Sequence, residues 1–498
     1  MNPTSISSPI FSQAAAAIAR LSGHFIDNRW LGPDGATLAV ENPADEAEIG
    51  RIAAGTAREV DLAVAAARRT FESPAWTGMA AAERERLLLR LADLVEANRD
   101  EIAAIETLDN GMPFAISRQM AVGSAISAIR YNAGWARRMN GETAPVSVPG
   151  NWHGYTNHVP LGVAALIVPW NAPFAITCNK ISAALAAGCT VVLKPAELAP
   201  MSGLRLAELI AEAGFPAGAV NVVTGTGAQA GAALVAHTGI DKISFTGSTA
   251  TGQAILRESA THMKRVSLEL GGKSATIVMP DADLDRAVPG VAMGIFGNSG
   301  QVCAAGSRLF LHEEIHDAFL DRLVAFAEKL VVGPGTQEDV HLGPLISATQ
   351  KARVLGYIES GLDEGATLLC GGSPSMRAGH FVMPTVFANT NSAMRIVKEE
   401  IFGPVLSVMR FAASEDLASI ARRANDSDYG LSAYVWTGNL AAAHALARQL
   451  RSGSVKINGS GMEFTLPFGG FKLSGLGREN GREGVLAFTD IRSVMIGW

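Results

Sequence analysis

A chain of 498 residues with 48% hydrophobic and 18% charged side chains reads as globular, with roughly two to four domains and ample apolar content for large cores. A net charge of −6 lacks the basic footprint of a nucleic-acid or anionic-membrane binder. The four cysteines, Cys178, Cys189, Cys303 and Cys370, stand far apart without a CxxC pair, which points to a reducing cytoplasm rather than a disulfide framework.

Residues 1–23 carry no positive charge ahead of their apolar part, so a short amphipathic helix is expected and not a signal peptide. Short extended pieces are expected over 24–54, then helices from 58, over 83–110 and over 115–139. Residues 143–159 mix Pro, Gly and alternating polar and apolar positions. They read as an exposed two-stranded ribbon, which needs a partner and is a candidate oligomer contact. The most apolar stretch, 161–178, is interrupted by Pro169, Asn171 and Pro173 and reads as strand, turn and helix start, not a membrane span.

From 160 to 272, apolar strands near 163–168, 190–193, 220–223, 242–245 and 266–270 alternate with helices. That pattern implies a parallel sheet buried on both faces, with ligands beyond the carboxyl ends of its strands. A second α/β run from 274 carries strands near 274–279, 308–312, 367–370, 404–411, 431–436 and 454–457, and the alternating residues from Thr489 suggest an edge strand. The fold class is α/β.

Several stretches carry candidate chemistry. His312 to His316 spells HExxH, but zinc-protease chemistry needs both histidines on one helical face plus a third ligand. Here His312 ends a strand and the helix is expected only from about Ile315, so no metal site is assigned. Gly225, Gly227 and Ala230 fit a GxGxxG/A pattern without an acid at the expected distance. Phe245-Thr246-Gly247-Ser248 ends a strand and opens a helix, where N–H groups can take a phosphate or simply be capped. Lys194 and Glu197 lie at a strand end, where an acid can accept from ribose hydroxyls or form a solvated turn. Glu269 ends an apolar strand beside Gly271 and Gly272, as a buried general base or a structural carboxylate. Cys303 sits in a loop of small residues, 297–308, as a nucleophile or a small buried hydrophobe.

Taken together, Pro169-Trp170-Asn171, Lys194-Pro195-Ala196-Glu197, Phe245-Thr246-Gly247-Ser248, Glu269-Leu270-Gly271-Gly272-Lys273-Ser274, Gly300-Gln301-Val302-Cys303, Glu399-Glu400-Ile401-Phe402-Gly403-Pro404-Val405 and Pro467-Phe468-Gly469-Gly470-Phe471-Lys472 resemble, in identity, order and spacing, the NAD(P)-dependent aldehyde dehydrogenase superfamily, hydrolytic type, from about residue 24 to the end. The resemblance implies a parallel-sheet dinucleotide-binding domain over 1–142 and 160–269 and an α/β catalytic domain over 270–463. It further implies an oligomerisation ribbon and bridge from 143–159 and 464–498, in a homodimer or homotetramer. It implies Cys303 as nucleophile, Asn171 and the Cys303 N–H as oxyanion donors, and Glu269 as the base that deacylates a thioester. Lys180 and Glu479 match a proton relay. Val168, Pro169, Trp170, Lys194, Glu197, Gly227, Phe245, Gly247, Ser248, Leu270, Glu400 and Phe402 match the cofactor site. A carboxylate at Glu197 favours NAD over NADP, since it accepts from a 2′-hydroxyl and repels a 2′-phosphate.

Ala172, Asn179 and Gly297 stand where members often carry aromatic residues. A wider tunnel, and a bulky aromatic, cyclic or long-chain aldehyde, is the expectation, unless Phe174, Met462 or Phe464 fills the space. The alternatives are a semialdehyde or CoA-acylating dehydrogenase, a non-catalytic protein on the same fold and, remotely, a zinc peptidase.

Overall fold

The computed structural model describes residues 8–375 and 377–498. The N-terminal helix runs over Ser8–Arg20; the first seven residues of the expected N-terminal segment lie outside the described residues.

Two large sheets organise the chain. The first has the order β2 (Arg29–Leu31), β1 (His24–Ile26), β9 (Val220–Val222), β8 (Thr190–Lys194), β7 (Val163–Ile167), β10 (Lys242–Thr246), β11 (Arg265–Glu269), β21 (Gly475–Leu476). From β9 to β11 the strands are parallel. All five residues of β7 and of β8 are buried, as expected of strands covered by helices on both faces. The helix Pro173–Ala187 packs on one face, and the helix Ala57–Glu72, with its reciprocal Thr56–Glu59 cap, is buried along one side. The second sheet has the order β14 (Thr367–Cys370), β15 (Thr385–Ala388), β16 (Val405–Phe411), β13 (Arg308–His312), β12 (Ala275–Val278), β18 (Ser432–Trp436), β19 (Ser454–Ile457). It is parallel except at β14.

A three-stranded sheet joins β22 (Thr489–Gly497), β6 (Trp152–Pro160) and β5 (Thr143–Ala144). The ribbon expected over 143–159 therefore gains a third strand from the C-terminus, with β22 on its edge. Two antiparallel pairs complete the strands: β3 (Thr37–Glu41) with β4 (Glu48–Ala53), and β17 (Tyr429–Gly430) with β20 (Phe471–Lys472).

Several details differ from the sequence expectation, beginning with the helix expected over 83–110, which is two helices, Ala81–Ala97 and Arg99–Asn110, meeting at Asn98. The strand β15 was not anticipated. The helix expected over 115–139 is broken into a short turn, a wide i→i+5 turn over Ser117–Val122 and a helix over Gly123–Trp135. Last, the segment after 463 supplies β21 to the first sheet, pairing Gly475 with Glu269. The C-terminal region thus buttresses the strand that ends in the candidate base.

Candidate active site

The loop between the helix Leu284–Phe296 and β13 of the second sheet carries Cys303. It turns through three successive left-handed residues, Asn298 (φ 50°), Ser299 (φ 55°) and Gly300 (φ 72°). Only glycine fits the third: a Cβ on Gly300 would lie 2.1 Å from the Gly403 carbonyl oxygen. Side chains pin the strained turn. Ser299 Oγ donates to the Gly343 carbonyl at 2.6 Å, and Gln301 Oε1 accepts from Ile346 N–H at 2.9 Å.

Asn171 is clasped to this loop from the first sheet. Its Nδ2 donates to the Gln301 carbonyl at 2.8 Å, and Asn298 Nδ2 donates to the Asn171 carbonyl at 2.8 Å. A carboxamide nitrogen has two hydrogens, so one fixes the side chain and the other remains for a ligand. Beyond Cys303, Tyr434 Oη donates to the Ala304 carbonyl at 2.8 Å. The diglycine after Glu269 lets the two sheets meet here. A Cβ on Gly272 would come within 2.4 Å of the Cys303 carbonyl oxygen, and one on Gly271 within 2.3 Å of Glu400 Oε2.

Burial pushes the Cys303 thiol up to about 12, and the Glu400 and Glu269 carboxylates push the same way against the backbone N–H groups of Ala304 and Cys303. Cys178 and Cys189 are buried. Glu269, 4% exposed, has no hydrogen-bond partner on either carboxyl oxygen among the described residues. Burial raises its carboxyl well above the usual range; Glu479 adds to the effect and Lys180 and Arg478 oppose it. Lys180, fully buried in the helix Pro173–Ala187, pairs with Glu479 Oε1 and donates to Ser244 Oγ at 2.8 Å, and Ser244 Oγ donates to Glu479 Oε1 at 3.2 Å.

In sheets of this kind ligands sit in the crevice beyond the carboxyl ends of the strands. Val168, Pro169 and Trp170 follow β7, and the Trp170 ring meets Phe402 edge-on at 5.3 Å. Glu400 Oε1 accepts from Gly272 N–H at 2.8 Å. At the end of β8, Lys194 Nζ pairs with Glu197 Oε2 at 2.7 Å, and Glu197 Oε1 accepts from Gly227 N–H at 3.2 Å. Burial works against the Glu197 anion, but the Lys194 ammonium and these N–H groups hold its carboxyl below the usual range. Gly247 follows β10 against the Phe245 ring, and Ser248 Oγ caps the helix Thr249–Ala260 through Thr251 N–H at 3.3 Å. Leu270 packs over Gly252 of that helix. The Thr246 hydroxyl is buried beside them without a partner among the described residues. An unpartnered hydroxyl, an acid held at a strand end and a capped helix start could hold a dinucleotide.

Other candidates fall away or change character. His312 ends β13 while His316 opens the helix His316–Glu328, so the two do not share a helical face. Phe174 is fully buried in the core around the first sheet, Met462 is 54% exposed, and a Cβ on Gly297 would meet open space. Sequence reasoning missed Gln301 and Asn298 as the clasp on Asn171, because the bonds use backbone carbonyls that any residue carries. It also missed Lys456 on β19, whose side chain reaches towards the Cys303 loop.

The molecule is an α/β protein with a cysteine loop at the junction of two sheets. The model of the Aldehyde dehydrogenase family matches residues 30–494. Phenylacetaldehyde dehydrogenase of Pseudomonas fluorescens is 45% identical over 481 residues, 95% of each chain. Mitochondrial aldehyde dehydrogenase of Homo sapiens is 44% identical over 477 residues, 95% of this chain and 91% of that one. The NAD+ complex of an aldehyde dehydrogenase from Bacillus cereus superposes with a TM-score of 0.95 at 43% identity, covering all of both chains. The chain belongs to the aldehyde dehydrogenase family.

Proposed function

We propose that the protein oxidises an aldehyde to the carboxylic acid with NAD+, through a thiohemiacetal and then a thioester on Cys303. The observation that carries this reading is the clasp of Asn171 onto the cysteine loop, which leaves a spare amide N–H on the side chain held against that loop. Sulfur adds to the carbonyl carbon as the Cys303 S–H bond breaks and its proton passes to solvent water. The oxygen becomes an anion that accepts from Asn171 Nδ2 and the Cys303 N–H. NAD+, when bound, accepts the hydride that leaves that carbon. Glu269 then takes a proton from the water that cleaves the thioester, and the neighbouring Lys180–Glu479 pair offers the proton a way out. A single release assay tests this: NADH and free acid formed without CoA support it, and acyl-CoA as the sole product would indicate the acylating alternative. Asn171→Ala lowers kcat by about 10²–10³-fold with little change in KM; an unchanged kcat would remove the amide from the chemistry.

Lys194, Glu197, Gly227, Ser248, Glu400, Trp170 and Phe402 fit NAD+ along the crevice. Glu197 makes NAD+ the preferred cofactor over NADP+. Glu197→Gln shifts the kcat/KM ratio towards NADP+ by about tenfold, one charge of repulsion in a partly solvated site. The reading assigns 1–142 and 160–269 to the cofactor and 270–463 to the chemistry.

The substrate is a bulky aromatic, cyclic or long-chain aldehyde rather than acetaldehyde. The open space at Gly297 supports this, as does the similarity to a phenylacetaldehyde dehydrogenase. Acetaldehyde as best substrate by kcat/KM would reject it. The outer strand β22 exposes Ile491, Met495 and Ile496, with Trp498 following it, and this edge supports assembly with further copies into a homodimer or homotetramer; light scattering that gives a monomer refutes it. The four free cysteines support a cytoplasmic setting.

A further inference from the structure

Against the tyrosine that holds the cysteine loop stands a cation that the proposed chemistry does not use. Lys456 lies on β19, directly opposite Tyr434 of β18. Its Nζ sits 5.6 Å from the centroid of the Tyr434 ring, and the hydroxyl of that ring holds the carbonyl of Ala304, next to the nucleophile. The side chain is half-buried. Burial pulls its ammonium below the usual lysine range, while the Cys303 sulfur is the opposing influence, so the two groups feel one another. The ammonium has three N–H donors. One reaches the Ser460 carbonyl at 3.3 Å, and no carboxylate lies within 4.0 Å of Nζ among the described residues. The surroundings are open: a Cβ on Gly297, Gly459 or Gly461 would meet nothing within 4 Å.

A desolvated cation without a counter-ion is unfavourable unless a ligand completes it. The location decides which ligand. A group that reaches Lys456 while its carbonyl carbon meets Cys303 belongs to the substrate. We infer that Lys456 is a specificity-determining residue and that the preferred aldehyde carries a carboxylate at its far end. A single ammonium, with no arginine fork beside it, suits one negative charge. The inference rests on the aldehyde-oxidising reading above and narrows it from bulk to charge.

The test uses two matched pairs of substrates: 4-carboxybenzaldehyde with 4-methylbenzaldehyde, and succinic semialdehyde with butanal. The intact enzyme favours the acid in each pair by kcat/KM. Lys456→Met lowers kcat/KM for the acids by at least about tenfold and changes the neutral aldehydes by no more than about twofold. Lys456→Arg restores the preference. Added salt erodes kcat/KM for the acids and not for their partners, a readout that needs no variant. Equal turnover of acid and neutral aldehydes by the intact enzyme overturns the inference. So does an equal loss on both in Lys456→Met, which would mean that the ammonium tunes the thiol instead. NADH from none of the four aldehydes removes the aldehyde-oxidising reading itself.

Discussion

Replacing Cys303 by alanine lowers NADH formation with every aldehyde by about 10⁴-fold or more, with NAD+ binding intact. The size follows from the role: a covalent nucleophile acts with its partners as a unit, so losing it forfeits nearly all the chemistry. No other thiol can substitute. Cys178 and Cys189 are buried in the core around the first sheet, where burial pushes Cys178 well above the usual thiol range and Cys189 up to about 11. Cys370 belongs to β14, the outermost strand of the second sheet. The substitution is also structurally mild. The loop is fixed by Ser299, Gln301 and Asn298 rather than by the thiol. Titration with NAD+ and a thermal melt, read beside the activity, separate lost chemistry from lost fold. Steady NADH production by the folded variant would falsify covalent catalysis at this residue.

The parts of this fold that the sequence revealed are those where burial forces composition. β7 and β8 are apolar at almost every position because helices cover both of their faces. β15 escaped notice because its four residues, Thr385–Ala388, sit among turn-forming neighbours and gain their identity only by pairing with β16. The wide turn at Ser117–Val122 has ordinary helix-forming residues; hydrogen-bond register leaves no compositional trace. In the site the same division holds. Cys303, Glu269 and Asn171 stand in motifs whose spacing is visible. Lys456 sits in Ser-Val-Lys-Ile, which reads as a strand with a solvated face. Its neighbourhood comes from the pairing of Lys456 with Tyr434 across the sheet, a contact between positions remote in the chain. The orientation of Glu269 was likewise invisible, since it depends on β21 folding back beside β11.

Glu269→Gln separates the two halves of the reaction. The thiol, the Asn171 amide and the crevice are untouched, so the first turnover proceeds and one NADH per active site appears as a burst. Hydrolysis of the acyl-enzyme then lacks its base, and steady turnover falls by about 10²–10³-fold, within the range for a positioned general base. Glutamine is nearly isosteric, and neither carboxyl oxygen of Glu269 makes a hydrogen bond among the described residues, so the fold loses little. The pH dependence carries the same signature. Burial, with Glu479 adding to it, raises the Glu269 carboxyl well above its usual range. The ionised, working form is therefore lost as pH falls through that raised value, and deacylation of the intact enzyme slows with it. The variant loses this limb, because an amide does not titrate. Rapid-mixing measurement of NADH across pH checks both statements together. A burst with an unchanged steady rate would move the base elsewhere, with Glu479 next in position. A missing burst would place Glu269 before thioester formation, in the step that takes the proton from Cys303.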